Sequence, residues 1–240
     1  MVVIGAIFFI SGFLQGMTSF GFSLIALPLL SLTLDIQLIV PVLIMYSFIM
    51  NSTILVSLYK HIRIKEIIWI VIFGMIFTPV GMQILLFMDG NLLKMLTGIF
   101  IFIFSMLLFF NKHYKIKNVW TERIVTGALS GILNGSVSFS GPPMVIFLSN
   151  KGVEKQKFRA NLTFYFWLLN VITIPTFILG GLITSQTMIF TFKYVGFLLV
   201  GVIVGVHFGN RLKENVFKRL VIIVLMVLGI TSFISTLNVY

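Results

Sequence analysis

The sequence predicts an all-α integral membrane protein of about eight hydrophobic segments, and three observations carry that prediction. Hydrophobic residues fill 59% of the 240 positions and charged residues only 10%. With a mean hydropathy of +1.13, that balance belongs to no soluble globular domain. Apolar stretches near the length of a membrane span recur along the whole chain. The 17 lysines and arginines gather between those stretches, so the net charge of +11 reads as basic loops on one side of a membrane rather than as a nucleic-acid surface. No polar stretch is long enough for a separate soluble domain, and residues 1–240 read as a single transmembrane domain. There is no cysteine, hence no disulfide and no thiol chemistry. Residues 1–9 lack a basic start, which argues against a cleaved signal peptide.

In order, the apolar segments run over about 2–34, 38–58, 67–88, 92–110, 124–148, 162–183, 194–208 and 216–237. The first is too long for one span: 33 residues of continuous helix would reach about 50 Å. Gly16, Gly21 and Pro28 interrupt it. The fifth carries Asn134-Gly135-Ser136-Val137-Ser138-Phe139-Ser140-Gly141-Pro142-Pro143. No regular helix runs through two adjacent prolines, which lack N–H groups and clash with the preceding turn. One helix is expected to end near Asn134 and another to begin near Pro142, with Ser or Gly as its cap. Such a break at membrane depth is tolerated only where it is buried in protein or lines a polar cavity.

The chain also reads as a duplication, repeat one over 1–111 and repeat two over 122–240. Ser11-Gly12-Phe13-Leu14-Gln15-Gly16 matches Thr126-Gly127-Ala128-Leu129-Ser130-Gly131. Tyr46 and Asn51 match Tyr165 and Asn170. Asn91-Leu92-Leu93-Lys94-Met95-Leu96 matches Asn215-Val216-Phe217-Lys218-Arg219-Leu220. The offsets are 115, 119 and 124 residues, in order along the chain.

Charge decides the topology. Four basic clusters stand at Lys60/Arg63/Lys65, at Lys112/Lys115/Lys117/Arg123, at Lys151/Lys155/Lys157/Arg159 and at Arg211/Lys213/Lys218/Arg219. If all eight segments span, these clusters divide evenly between the two sides. If segments one and five are re-entrant hairpins, all four fall on the cytoplasmic side and only Lys94 and Lys193 face out. Each repeat is then a broken hairpin plus three spanning helices, and the two repeats are inverted, a common plan for secondary transporters. Two kinked spanning helices are the alternative.

In the hairpin arrangement two helix N-termini meet in mid-membrane, where their partial positive charge and free N–H groups suit an anion. The candidate substrate-binding residues are Ser19, Gly21, Ser23, Asn51, Asn134, Ser138, Ser140, Gly141 and Asn170. Gln15, Gln83 and Asn161 are further polar candidates, interhelical hydrogen bonding being the other use of such residues. Phe20 and Phe139 are candidate gates. Asp35 and Asp89 sit at segment ends and the four Glu lie in basic loops, so the usual carboxylate relay is missing. His207 is the candidate coupling residue. The sequence holds no nucleotide-binding loop, no metal-ligand spacing and no nucleophile–base pair, and none of the readings calls for a cofactor, a metal or catalytic residues.

Taken together, Gly12-Phe13-Leu14-Gln15-Gly16 leading to Phe20-Gly21 and Pro28, Gly127-Ala128-Leu129-Ser130-Gly131 leading to Ser140-Gly141-Pro142-Pro143, and the following Arg159-Ala160-Asn161 resemble the sulfite exporter TauE/SafE family of membrane permeases. The first tip departs from the family's usual small residues at Thr18, Ser19, Phe20 and Phe22. The resemblance implies a multi-pass permease of the cell membrane, not an enzyme. It implies transport of small sulfur-containing or organic anions such as sulfite or sulfonates, usually outward. Import of another solute, and a scaffold without flux, are the alternatives. The expected partners are a small anionic substrate and membrane lipid, with a homodimer left open and nucleic acid excluded.

Overall fold

The protein, seen in a computed structural model, is described over residues 2–109, 118–213 and 216. Among the described residues it forms nine α-helices and no strand. These are α1 (Val2–Thr18), α2 (Phe22–Ser31), α3 (Ile36–Leu58), α4 (Ile64–Phe87), α5 (Gly90–Phe109), α6 (Val119–Val137), α7 (Gly141–Asn150), α8 (Lys155–Leu179) and α9 (Ser185–Arg211). A 3-10 turn, Tyr59–His61, joins α3 to α4. Four stretches are long and apolar enough to cross a membrane: Ile36–His61, Ile64–Phe87, Lys155–Leu179 and Ser185–Arg211. The segment expected over 216–237, the cluster members Lys112, Lys115, Lys117, Lys218 and Arg219, and the second half of the third repeat anchor (all but Val216) lie outside the described residues.

The long apolar first and fifth segments are each broken in two. α1 stops at Thr18 because Ser19 turns into the left-handed region, with φ 68°, and Gly21 follows at φ 99°. α6 stops at Val137 because Ser138 does the same, with φ 61°. A non-glycine residue there is strained by about 1–2 kcal/mol, so both breaks are held open by their surroundings. Each second arm has only 10 residues, about 15 Å of helix and too short to span alone.

The far ends of α6 and α7 come together, and the end of α2 lies beside the starts of α5 and α3. Lys151, one residue past α7, forms an ion pair at 3.0 Å with Glu122 in the first turn of α6. At the end of α2 the Ser31 carbonyl accepts from Lys94 Nζ at 2.7 Å, beside the start of α5. The start of α3 lies there too, with Gly90 against Ile36.

Close glycine contacts set the helix pairing. α1 packs parallel to α9: a Cβ on Gly205 would collide with the Phe13 carbonyl, and one on Gly16 with the Val202 carbonyl. α6 packs parallel to α4 in the same way, Gly81 against the Ile132 carbonyl and Gly135 against the Thr78 carbonyl. Small residues let the backbones touch, which is how helices associate where lipid removes the hydrophobic drive. The central pair, α3 and α8, runs antiparallel, with Asn170 beside Ser47 and Trp167 beside Ser52.

These contacts give the internal correspondence its register. Both left-handed serines, and the glycines facing equivalent carbonyls, coincide at an offset of 119, not at the 115 that matched Gly12 to Gly127. At 119, Ser11-Gly12-Phe13-Leu14-Gln15-Gly16-Met17-Thr18-Ser19-Phe20 faces Ser130-Gly131-Ile132-Leu133-Asn134-Gly135-Ser136-Val137-Ser138-Phe139. Gly127, Gly131 and Gly135 recur every four residues, so a slip of one helical turn still pairs glycine with glycine. α4 and α9 correspond at 124, which places Gly81 on Gly205.

Candidate functional site

The two breaks meet. Ser23, in the first turn of α2, lies 3.0 Å from Ser138, hydroxyl to hydroxyl. Between the breaks is a small, partly open cavity. Its walls come from both halves in matched positions. Phe20 and Phe139 are one such pair, Gly21 and Ser140 a second, and Ser23 and Pro142 a third. Phe22 and Gly141 are a fourth, and Ser47 on α3 with Phe166 on α8 a fifth. Among the described residues no lysine, arginine or carboxylate lines the cavity; its polar groups are hydroxyls, the Gln15 amide and backbone.

Of the sequence candidates, Gly21, Ser23, Ser138, Ser140 and Gly141 line this cavity. Ser19 does not: its hydroxyl faces Arg159 Nε at 3.4 Å. Asn134 is turned away, donating to Thr173 Oγ1 at 2.8 Å. Asn51 and Asn170 stand one layer behind the wall, both donating to Ser47 Oγ. Phe20 and Phe139 are buried in the walls. Gln83 is exposed on α4, and Asn161 ties α8 to the α4 entrance through Arg63 N–H and Glu66. His207 is exposed on α9, edge-on to Phe208, and does not reach the cavity.

The tips also overlap rather than stopping at a common midplane. Met17 reaches Gly209, two residues from the end of α9, while Gly135 lies against Gly81 and Met82 in the last third of α4. Each break therefore passes the other, with the cavity between them.

The helix N-termini that open on the cavity differ. In α2 the Phe22 N–H is taken by Gln15 Oε1 at 3.2 Å, and those of Ser23 and Leu24 belong to the first turn, where a helix supplies no acceptor. In α7 the second and third positions are Pro142 and Pro143, which have no N–H. An N-cap side chain bonds the N–H of those two positions, so Ser140 makes no capping bond. Its hydroxyl is left for the cavity, and the expected cap role is corrected.

Arg159 was read in the sequence only as part of a loop cluster and a motif. It is 0% exposed. Its guanidinium donates to the Gly16 carbonyl at 2.8 Å, to Asn210 Oδ1 at 2.8 Å and to the Ser19 hydroxyl. Among the described residues it has no ion pair. Lys155, one helical turn earlier, donates to the Gly209 and Leu212 carbonyls at the end of α9, where a cation also meets the negative end of the helix dipole. The spacing of four between Lys155 and Arg159 was the available signal: it puts both on one face of α8.

A bundle of span-length apolar helices, with a polar cavity where two broken helices meet, defines a multi-pass membrane permease. Residues 4–232 match the family model for sulfite exporter TauE/SafE, and the chain belongs to that family, a family of transporters. No curated protein and no solved structure matches the chain.

Proposed function

We propose that the protein is a secondary transporter that exports a small sulfur-containing or organic oxyanion, such as sulfite or a sulfonate, through two inverted repeats. Each repeat contributes a re-entrant hairpin, α1–α2 or α6–α7, and the substrate binds where the tips meet. The cavity between the breaks, walled by residues from matched positions in both halves, carries this reading. The opposed running directions of α1 and α6, each parallel to the other half's fourth helix, agree with inversion. The basic residues around Lys60, Lys155 and Arg211 face the cytoplasm, and Trp69 and Trp120, 5.1 Å apart, sit at that interface.

The energetics fit an anion. A charge at the bilayer centre costs a few kcal/mol at least. A helix N-terminus returns up to about 2 kcal/mol, and a hydrogen bond to a charged group about 1.5–3 kcal/mol. Two or three donors from the serine cluster, added to α2, offset the cost with no buried counter-charge. The test is sulfite flux in proteoliposomes with Ser140→Asp. A carboxylate at the cavity wall occupies the anion's place, so flux falls at least about tenfold. A folded variant that moves sulfite at the parent rate overturns the reading, and a parent without flux in any anion makes the protein a scaffold.

A further inference from the structure

We propose that Ser47, which the sequence did not mark, is the specificity-determining donor of this cavity, set to meet an oxygen that carries no proton. The inference rests on the anion-site reading above and names which atom does the selecting.

The direction of the hydrogen bonds leading to Ser47 through Asn51 is fixed from the backbone. Phe22 N–H can only donate, and it faces Gln15 Oε1 at 3.2 Å. The Ser19 carbonyl can only accept, and it faces Gln15 Nε2 at 3.3 Å. The Gln15 amide is thereby oriented from both ends, although side-chain amides are ordinarily free to be assigned either way. Its Nε2 also donates to Asn51 Oδ1 at 3.3 Å. Asn51 is oriented in turn, and its Nδ2 donates to Ser47 Oγ at 3.1 Å. From the other half, Asn170 Nδ2 donates to the same oxygen at 2.9 Å.

A serine hydroxyl has two acceptor lone pairs and one hydrogen. Both lone pairs of Ser47 are filled, so its hydrogen must point elsewhere. The neighbouring hydroxyls of α3 return theirs to their own helix, Ser52 to Phe48 at 2.8 Å and Thr53 to Ile49 at 3.0 Å. Among the described residues Ser47 makes no such bond, and it lines the cavity. A second observation agrees: Asn170 is 1% exposed, yet its Oδ1 has no partner. With the amide placed this way its Nδ2 meets Ser47 and its Oδ1 stays unpaired. The matched position in the other half is Phe166, so at this position only the first half supplies a donor. An ionised oxyanion oxygen fits that donor. A protonated acid oxygen or an ammonium brings a donor against a donor.

The experiment is calorimetric titration of the purified full-length chain with sulfite, for the parent, Ser47→Ala, Ser47→Thr and Ser47→Cys. Ser47→Ala is expected to weaken binding about tenfold or more, and Ser47→Thr, which keeps the hydroxyl, to stay within about threefold of the parent. If the alanine variant does not fold, Ser47→Cys keeps the volume with a weak donor and is expected to lose at least about fivefold. Unchanged binding in folded Ser47→Ala or Ser47→Cys overturns the proposal and leaves the anion site standing. So does an equal loss in Ser47→Thr and Ser47→Ala, which would mean that shape rather than the hydroxyl matters. This is also the result expected if Asn170 is turned over and takes the Ser47 hydrogen. A parent that binds neither sulfite nor any other sulfur oxyanion overturns both readings.

Discussion

The two breaks share a backbone and differ in what holds them. Both place a serine at positive φ, follow it with a phenylalanine and start a 10-residue helix at the cavity. The second break is self-contained. α6 ends with Ser138 N–H on the Asn134 carbonyl and Phe139 N–H on the Leu133 carbonyl, both at 3.0 Å, the first being the single bond of an αL cap. The Ser130 hydroxyl then ties down the Ser140 carbonyl at 2.6 Å. The first break lacks the second closure. Its Ser11 hydroxyl, the counterpart of Ser130, is buried without a partner. Instead it is clamped from outside by Arg159, whose counterpart in the first half is Val40, and from inside by Gln15. One break is fixed within its own segment alone, and the other is tied as well by a charged side chain from α8. A tip held across a helix interface is the one that can be released when that interface moves.

The largest effect expected from this contrast is at Arg159. Arg159→Met strips partners from Gly16, Ser19 and Asn210 at once and should cost on the order of 3 kcal/mol, read as a lower midpoint in thermal unfolding. A loss below about 1 kcal/mol would mean that the first break stands without its clamp. A smaller effect separates the paired serines. Ser130→Ala should cost about 1 kcal/mol, while Ser11→Ala, which removes a hydroxyl with no partner, should be neutral or slightly stabilising. Equal costs would erase the distinction between the halves. The smallest effect is at His207, which lies on the exposed side of α9. His207→Asn should leave sulfite binding and any pH-gradient-driven flux at the parent level, and a loss of either would return it to the mechanism.

The same contrast shows what could be read from residues alone. The broken first and fifth segments were legible because Gly, Pro and Ser inside a long apolar run leave a helix few options. Tyr46/Tyr165 and Asn51/Asn170 stand at the same offset, 119 residues, as the two left-handed serines. The register of the glycines was not legible, since a ladder with a period of four looks the same after a slip of one turn. Arg159 was hidden by its neighbours: Lys151 and Lys157 keep solvent contact, and only the helical phase of α8 separates it from them. Ser47 was beyond reach altogether. A single serine in an apolar helix ordinarily bonds back to its own turn, and only donors from α1's network and from α8 fill its lone pairs. The cavity serines were legible by type but not by role, because the lack of a cap at Ser140 follows from two prolines acting on a bond that does not form.

The most direct test of the central claim is the position of a bound anion. In crystals grown with selenite, a heavier analogue of sulfite, anomalous scattering locates selenium independently of the protein. The expected result is a peak in the cavity between the breaks, with its oxygens in hydrogen-bond reach of the Ser138 and Ser140 hydroxyls. A peak only among the basic residues around Lys155 and Arg211, with the cavity empty, would contradict the account.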